Sequence, residues 1–250
     1  MKPMVLLKDV SKNYGSVRAV SNVSLEIPRS RIFGLIGSDG AGKSTLLRMV
    51  ATMIKPSSGQ ILLDGLDVSR EKDRVKPLIG YMPQRFGLYR DLTVEENLDF
   101  FMDIFGIRGM ERRRRKERYL GFSNLLPFLD RSAGDLSGGM RQKLGLACVL
   151  VHQPKVLLLD EPTNGVDPVS RQEFWEILQE MRDQGMTIMI STAYLEEGEE
   201  CDQLAIMHRS RILARGTPQD VKAFHADLEE AMVEHIAKED EALAREGFRI

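Results

Sequence analysis

The feature that most constrains the fold is a glycine-rich segment, residues 37–44, which reads Gly-Ser-Asp-Gly-Ala-Gly-Lys-Ser. It follows the apolar run Ile32–Ile36 and precedes the apolar-periodic segment Thr45–Met53, so a strand leads into it and a helix leads out. The spacing fits the pattern Gly-x-x-x-x-Gly-Lys-Ser/Thr. In such a loop the glycines let successive backbone N–H groups converge on phosphate oxygens, and the helix N-terminus adds partial positive charge. The segment therefore predicts a site for the phosphates of a nucleoside triphosphate.

Particular side chains of this phosphate loop have expected roles. Lys43 places a cation against the β- and γ-phosphates, and Ser44 offers a hydroxyl ligand to Mg²⁺. A chance glycine-rich turn is the alternative, and the flanking strand and helix argue against it. The nucleotide-binding residues predicted here are Gly37, Ser38, Asp39, Gly40, Ala41, Gly42, Lys43, Ser44 and Thr45.

Two carboxylates follow a second apolar run, Val156–Leu159. Because this run is apolar at every position, it predicts a strand buried on both faces of a mainly parallel sheet. The crevice at the carboxyl ends of such strands is where open α/β sheets bind ligands. We expect Asp160 to hold Mg²⁺, directly or through water, and Glu161 to act as general base on the attacking water. The alternative is a solvated acidic turn at the end of the strand.

Short apolar runs alternate with helical patterns along the chain, which indicates an α/β protein. Between Phe86 and Leu150 the strand signals vanish and helical spacing takes over, so we expect a helical subdomain inserted into the α/β core. The predicted strands are Val5–Val10, Ser24–Ile27, Ile32–Ile36, Ile61–Leu63, Ile79–Tyr81, Val156–Leu159, Thr187–Ile190, Leu204–Met207 and Ile212–Ala214.

Composition excludes several classes of protein. With 35 Lys and Arg against 37 Asp and Glu, the formal charge is -2, so no basic field favours nucleic acid. Two cysteines cannot form a disulfide framework. The longest strongly apolar stretch, Leu144–Val151, is far shorter than the roughly 18 residues of a membrane span, and Met1–Val5 lacks a signal-peptide core. We therefore expect a soluble intracellular protein whose membrane role comes through a partner.

Two charged segments each leave two interpretations open. Residues 111–118 hold six basic and two acidic side chains, which indicates either a solvated helix face or a surface near lipid headgroups. Residues 226–250 hold eight acidic and three basic side chains, which indicates a solvated helix or a frayed terminus.

A third motif joins these elements into a known pattern. Residues 136–142 read Leu-Ser-Gly-Gly-Met-Arg-Gln and lead into the helical run Arg141–Val151. By itself this is a helix N-terminus able to receive an anion, or simply a helix cap. Together with the phosphate loop and the acidic strand end, it resembles the signature motif of ATP-binding-cassette (ABC) proteins. The order of elements is similar to that family over about residues 4–225.

Other positions extend the resemblance. Tyr14 resembles the aromatic residue that stacks on adenine in the family, and Gln84 resembles the glutamine that touches Mg²⁺ and water. Thr163–Asp167 is similar to the loop that crosses the dimer interface. Residues 84–98 and 228–232 look like those of ATPases in ABC-2-type exporters, which include drug, polysaccharide and lipid exporters. The resemblance implies the catalytic residues Lys43, Gln84 and Glu161 and the metal ligands Ser44, Gln84 and Asp160.

The resemblance also implies a fold. A single ABC ATPase domain would occupy residues 1–250, with a P-loop core, a mainly parallel sheet, an antiparallel β part near the N-terminus and the helical insertion. The core and its β part would span residues 1–84 and 151–225. The helical subdomain would span residues 85–150, and an acidic tail residues 226–250.

The family mechanism follows from the same resemblance. Two cassettes, either two copies or this chain with a different one, pack head to tail around two ATP molecules. Each nucleotide lies between the phosphate loop of one cassette and Ser137, Gly138 and Gly139 of the other. ATP favours the closed dimer, and a transmembrane permease seated near Gln84 converts closure into transport. This chain would then be a peripheral subunit at the cytoplasmic face of the membrane, with no nucleic acid partner.

The chain departs from the family pattern in two segments. Ser38 and Asp39 stand where the family usually has Pro-Asn, and the charge of Asp39 is expected to weaken nucleotide binding unless the side chain turns away. Ala193 stands where the family normally has a histidine that bonds the γ-phosphate, so we expect slow hydrolysis. A degenerate cassette paired with a complete partner and a substitution introduced to trap ATP would both leave this pattern. Two other functions stay open: a soluble ABC ATPase without transport and a nucleotide-binding regulator.

Overall fold

The computed structural model describes the backbone of residues 2–245 and the side chains of residues 2–240. All nine predicted strands are present, and the one missed strand, β5, has only two residues. The strands are β1 (Val5–Tyr14), β2 (Val17–Ile27), β3 (Ile32–Ile36), β4 (Ser58–Leu63), β5 (Leu66–Asp67), β6 (Ile79–Met82), β7 (Val156–Asp160), β8 (Thr187–Thr192), β9 (Gln203–His208) and β10 (Arg211–Gly216). The helices are α1 (Lys43–Val50), α2 (Lys72–Val75), α3 (Val94–Ile104), α4 (Gly109–Phe122), α5 (Gly138–Leu150), α6 (Pro168–Asp183), α7 (Leu195–Glu199), α8 (Pro218–Lys222) and α9 (Leu228–Arg245). Over the described range, none of these helices is both long and apolar enough to cross a membrane.

The first part of the chain forms an antiparallel sheet in the order β2-β1-β4-β5. β1 and β2 extend beyond the predicted runs as a hairpin, in which Asn13 pairs with Arg18 and Gly15 takes a φ of 58° in the turn. Both paired residues are polar and exposed, so the hydrophobic pattern does not mark them as strand. The expected antiparallel β part is therefore present.

The second sheet has the order β10-β9-β3-β8-β7-β6, and it is parallel from β9 to β6 with β10 antiparallel at its edge. Every residue of β3, β7 and β8 is buried. Val156 and Leu158 of β7 pack with α1 and the antiparallel sheet. Leu157 and Leu159 point to the other side and pack with α5 and α6. The sheet is thus covered on both faces, which confirms the prediction from the continuous apolar run.

Helices α3, α4 and α5 fill the segment between β6 and β7, where the described residues form no strand. A capping box fixes the start of α3: the Thr93 hydroxyl accepts from the Glu96 N–H, and the Glu96 carboxylate accepts from the Thr93 N–H. Asn97 is completely buried, and its amide donates to the carbonyl oxygens of Tyr89 and Leu92. These bonds hold the loop that follows β6 against α3.

The basic run of residues 111–118 lies on α4 and is mostly paired. Arg112 forms ion pairs with Asp99 and Asp103, and Lys116 contacts Asp99 at 2.8 Å. The outer basic side chains of the run pair with glutamates of α4 itself. The interpretation as a solvated face therefore holds only for the outer side chains, because Arg112 and Lys116 tie α4 to α3. Little unpaired positive charge is left for lipid headgroups.

The acidic tail is a helix over residues 228–240 whose acidic side chains are exposed or half-buried, so the interpretation as a solvated helix holds for that face, whereas Leu228 and Ala231 are buried. Leu228 of α9 is 2% exposed and joins an apolar cluster with Ile36, the last residue of β3. The amphipathic pattern of α9 gives it an apolar face, and that face is buried against the large sheet. Residues 246–250 of the predicted tail lie outside the described residues.

Candidate nucleotide-binding site

The phosphate loop joins β3 to α1. Gly40 and Gly42 have φ angles of 78° and 106°, which residues other than glycine rarely adopt. Gly37 is required for a different reason, because a Cβ there would lie 2.0 Å from the carbonyl oxygen of Met207. Lys43 is 3% exposed, and its Nζ donates to the carbonyl oxygen of Gly37 at 2.7 Å, so the loop curls around this ammonium group. The other predicted residues of the loop are exposed (Ser38, Asp39), buried (Ala41) or half-buried in the first turn of α1 (Ser44, Thr45).

Asp160 ends β7 and is completely buried. Its Oδ1 accepts hydrogen bonds from the Ser44 hydroxyl at 2.7 Å and the Ser191 hydroxyl at 2.8 Å. Its Oδ2 accepts from the Tyr81 hydroxyl at 3.3 Å. Burial raises the pKa of Tyr81, so this phenol keeps its proton. Since Arg48 of α1 lies 4.0 Å from the same Oδ2, the buried carboxylate has both hydroxyl donors and a nearby cation to hold it.

Glu161 lies between the phosphate loop and the segment that leads to the helical insertion. Its φ is 50°, and its N–H donates to the carbonyl oxygen of Ser191 at 3.0 Å. Its Oε1 lies 3.4 Å from Nζ of Lys43, and its Oε2 accepts from Nε2 of Gln84 at 2.8 Å. A left-handed backbone conformation at a non-glycine residue costs about 1–3 kcal/mol and is concentrated at functional sites. The strain here holds a carboxylate against the phosphate-binding lysine.

The structure brings five of the predicted site residues together: Lys43, Ser44, Gln84, Asp160 and Glu161. Tyr14 lies at the end of β1, 49% exposed, with Nζ of Lys12 at 5.0 Å from its ring centroid. No hydrogen bond within the described residues joins Tyr14 to this group. Its ring is therefore open to a stacking ligand.

The signature segment lies at the N-terminus of α5. The Ser137 hydroxyl accepts from the Met140 N–H at 3.2 Å, which caps the helix. Ser137 and Gly138 are exposed. Gly139 is buried against α6, where a Cβ would lie 2.3 Å from the Cβ of Ser170. The signature segment thus packs against α6. Within residues 2–240, no hydrogen bond joins this segment to the phosphate loop of its own chain.

A cavity of about 180 Å³ lies beside Glu161 at the end of β8. Asp39 and Ala193 line it as well, and its lining residues include two carboxylates and no cationic side chain. The Asp39 carboxylate is therefore on the same side of the site as Glu161. The methyl group of Ala193 itself offers this cavity no hydrogen-bond donor for a phosphate oxygen.

Sequence reasoning missed three side chains of this site: Ser191, Tyr81 and Arg48. All three contact Asp160 or lie within 4.0 Å of it. The sequence did contain a signal for Ser191, because it is a polar residue next to an apolar run that predicts a buried strand. The parallel register then places Ser191 directly beside Asp160. The contacts of Tyr81 and Arg48 depend on side-chain directions that the sequence pattern does not contain.

The phosphate loop after β3 and the acidic pair after β7 define a P-loop nucleoside triphosphatase. The antiparallel sheet, the helical insertion and the capped signature segment narrow this class to the ATP-binding cassette. The chain belongs to the ABC transporter family, whose model matches residues 20–164.

Named relatives are similar over most of the chain. The chain is 48% identical over 201 residues to the "Probable multidrug ABC transporter ATP-binding protein YbhF" of Escherichia coli K12, with 80% of this chain and 35% of that protein covered. It thus spans about a third of the length of that relative. It is 37% identical over 220 residues to the "Nod factor export ATP-binding protein I" of Ralstonia nicotianae, with 88% of this chain and 68% of that protein covered. The solved dimer of the cassette MJ0796, in a post-hydrolysis state with ADP and Pi, is 26% identical with a TM-score of 0.76 over 86% of this chain and 98% of that one.

Proposed function

We propose that this chain is the ATPase subunit of an ABC-2-type membrane exporter. The position of Glu161 carries the catalytic part of the proposal: its Oε1 lies 3.4 Å from Nζ of Lys43, and its Oε2 accepts from Gln84 at 2.8 Å. A carboxylate beside the phosphate-binding cation is within reach of the water that attacks the γ-phosphate. The names of the two relatives, a multidrug transporter protein and a Nod factor export protein, support export.

The donors at the site suit Mg²⁺. Oxygen atoms of Ser44 and Asp160 lie 2.7 Å apart, and Gln84 lies at the other edge of the group. Mg²⁺ prefers hard oxygen ligands and keeps water and phosphate oxygens in its shell, so it does not need a cage of carboxylates. Accordingly, no group of three or more His, Cys, Asp or Glu side chains suited to a metal was found in the described residues. Ser44, Gln84 and Asp160 would hold the ion, directly or through water, where its charge offsets that of the phosphates.

The roles of the charged residues follow from their exposure and contacts. Lys43 bonds only loop carbonyl oxygens and Glu161, and it would exchange these for β- and γ-phosphate oxygens. Asp160 already accepts hydrogen bonds from the hydroxyl groups of Ser44 and Ser191. It would therefore stay fixed and not transfer a proton. Glu161 is only 12% exposed at its side chain and would take the proton of the attacking water, while Gln84 orients its carboxylate. Tyr14 would stack on the adenine ring.

A second cassette would complete each nucleotide site. Ser137 and Gly138 are exposed at the N-terminus of α5, where backbone N–H groups and partial positive charge can receive a γ-phosphate. The dimeric cassette among the similar structures supports this arrangement. Ser137→Ala should leave ATP binding by the monomer unchanged and weaken ATP-dependent dimerisation, measured by light scattering. If this variant lost monomer affinity as strongly as Lys43→Ala does, the arrangement across a dimer would be wrong.

A transmembrane permease would dock on the helical subdomain, residues 85–150, close to Gln84. Tyr89 and Phe100 are exposed there, and their rings meet edge to face with centroids 4.6 Å apart. Exposed aromatic side chains are typical of the cores of protein interfaces. Docking at this surface makes the chain a peripheral subunit at the cytoplasmic face of the membrane. Nucleic acid is not a partner in this proposal, since the formal charge is -2.

The cavity at Ala193 supports reduced hydrolysis at this site. One missing transition-state contact typically costs about 10²–10³ in rate. Two copies of this chain would then form a nearly inactive pair, whereas a complete partner cassette would retain one working site that uses Ser137 of this chain. A nucleotide-binding regulator with little hydrolysis is the second candidate function, and Ala193 is the observation that favours it.

The test restores the missing group. Ala193→His should raise steady-state turnover at saturating Mg-ATP by about 10²–10³. The matched control is Ala193→His combined with Glu161→Gln, which should still bind ATP but return to the low rate. If the unsubstituted chain already turned over at rates typical of transporters, or if histidine changed nothing, the degenerate-site proposal would be wrong. Full turnover in the control would contradict the role of Glu161.

A further inference from the structure

We propose that the cleft between α6 and α7 is a binding site for an organic cation of the arginine type, in which a guanidinium or ammonium group stands next to a hydrogen-bond acceptor. The cleft has a volume of about 470 Å³, and Arg171, Trp175 and Glu197 line its floor and walls. This volume is within the range of small-molecule sites, about 300–1,000 Å³. None of the residues that line this cleft lines the cavity beside Glu161 described above.

Its charge favours a cation. Four carboxylates line the cleft, those of Glu176, Glu196, Glu197 and Glu200, against the single guanidinium of Arg171. That guanidinium stacks 4.2 Å from the ring centroid of Tyr194, and its Nε lies 3.7 Å from Oε1 of Glu197, which offsets part of one carboxylate's charge without a hydrogen bond to Nε. The remaining negative charge attracts a positively charged group and disfavours a phosphate.

Three buried polar atoms at the cleft lack hydrogen-bond partners within the described residues, and one of them is Nε of Arg171. Glu197 is 2% exposed; its Oε1 accepts from the Thr163 hydroxyl, while its Oε2 has no hydrogen-bond partner within the described residues. Trp175 is 5% exposed, and its Nε1 also has no partner in this part of the chain. Buried polar groups are normally paired, because leaving one unpaired costs free energy. A ligand that donates to Glu197 and accepts from Trp175 would satisfy both atoms.

The three unpaired atoms narrow the chemistry of the ligand. A bare metal ion would satisfy the Glu197 carboxylate but neither N–H group, and an anion would satisfy the N–H groups of Trp175 and Arg171 but leave the buried carboxylate unpaired. An arginine side chain beside its own amide carbonyl supplies both the charged donor and the acceptor. A free amine with a carbonyl or hydroxyl group supplies the same pair, so the chemistry is shared by free small cations and by a basic side chain of a protein.

Trp175 makes the proposal directly measurable, because it is the only tryptophan of the sequence. Its fluorescence should change saturably on titration of the nucleotide-free protein with N-acetylargininamide. The uncharged isostere N-acetylcitrullinamide is the matched control and should produce no saturable change. Agmatine distinguishes the sources of the cation: tighter binding of agmatine indicates a free amine, and tighter binding of the blocked arginine indicates a protein side chain.

Variants locate the site. Glu197→Gln should weaken binding roughly ten- to a hundredfold, because it removes a buried charged acceptor. Glu200→Gln, at the rim of the cleft, should weaken binding of the cation by about two- to fivefold. This variant keeps the test valid if Glu197→Gln fails to fold. Glu229→Gln, an exposed position on α9, should change nothing. Absence of a saturable response in the unsubstituted protein, an equal response to the citrulline compound, or equal affinity in Glu200→Gln would overturn the proposal, and none of these outcomes depends on ATP hydrolysis.

Discussion

Ser191 is the side chain on which the geometry of both acidic residues depends. It is completely buried in β8, directly beside Asp160 in the parallel register. Its hydroxyl donates to Oδ1 of Asp160 at 2.8 Å and accepts from the N–H of Glu161 at 3.1 Å. Ser191→Ala removes both bonds and leaves the buried carboxylate with one hydroxyl donor fewer. The substitution adds no bulk, so its effect comes from these bonds alone.

The size of the effect can be worked from these contacts. A hydrogen bond to a charged group contributes about 1.5–3 kcal/mol, and we take about 2 kcal/mol for the loss at the carboxylate. For a chain of this length each kcal/mol lowers the melting temperature by about 2–4 °C. Ser191→Ala should therefore melt about 4–8 °C below the unsubstituted protein. Its affinity for Mg-ATP should also fall, because Asp160 is no longer fixed beside Ser44.

The assay is thermal unfolding of the nucleotide-free protein, with Ser123→Ala as the matched control. Ser123 is also buried, at 3% exposure, but its hydroxyl donates only to backbone carbonyl oxygens of Tyr119 and Leu120. Loss of a neutral hydrogen bond costs about 0.5–1.5 kcal/mol, so this control should melt nearer to the unsubstituted protein. Equal melting temperatures for the two variants would refute the claim that Ser191 supports a buried charge.

Three further predictions use other parts of the structure. Lys43→Ala should strongly weaken the affinity for ATP, measured by equilibrium binding. The far-UV circular dichroism should stay unchanged, because the Lys43 ammonium group contacts only the loop and one carboxylate. Unchanged affinity would contradict the assignment of the phosphate loop. Gly139→Ala should lower the free energy of unfolding in urea by about 1–3 kcal/mol, because the new Cβ would lie 2.3 Å from Ser170. Gly138→Ala is the control and should not lower it, because the nearest atom to its new Cβ lies at 3.9 Å. Similar stabilities of the two variants would contradict this packing. The thiols of Cys148 and Cys201 should resist Ellman's reagent at pH 8 until urea is added, because both are buried and burial raises their pKa. Rapid labelling of the native protein would contradict that burial.

The sequence predicts those parts of the fold that depend on local pattern. Apolar runs such as Val156–Leu159 identify strands because burial on both faces needs a continuous hydrophobic segment. The phosphate loop is predictable because glycine adopts the positive φ angles at Gly40 and Gly42 far more readily than other residues do. The paired end of β1 and β2 is not predictable in this way, since its residues are polar and its strands are held by a hairpin turn.

Other features depend on contacts between distant parts of the chain. Ser191 reaches Asp160 across 31 positions, and only the order and register of β7 and β8 bring them together. Gly139 must be glycine because of Ser170 on a different helix. The charge pattern of residues 226–250 predicts solvation, but the few apolar residues on one face of α9 decide where the helix packs.

The docking of α9 sets a practical boundary for protein engineering. The family motifs end near residue 225, which suggests a cut there for cassette exchange. Such a cut would strip Leu228 from Ile36, the residue from which the chain enters the phosphate loop. The exposed apolar patch would promote aggregation of the truncated cassette and loosen the strand that positions the nucleotide. Chimeras between cassettes should therefore place the junction beyond residue 245, so that the whole of α9 stays with its own β3.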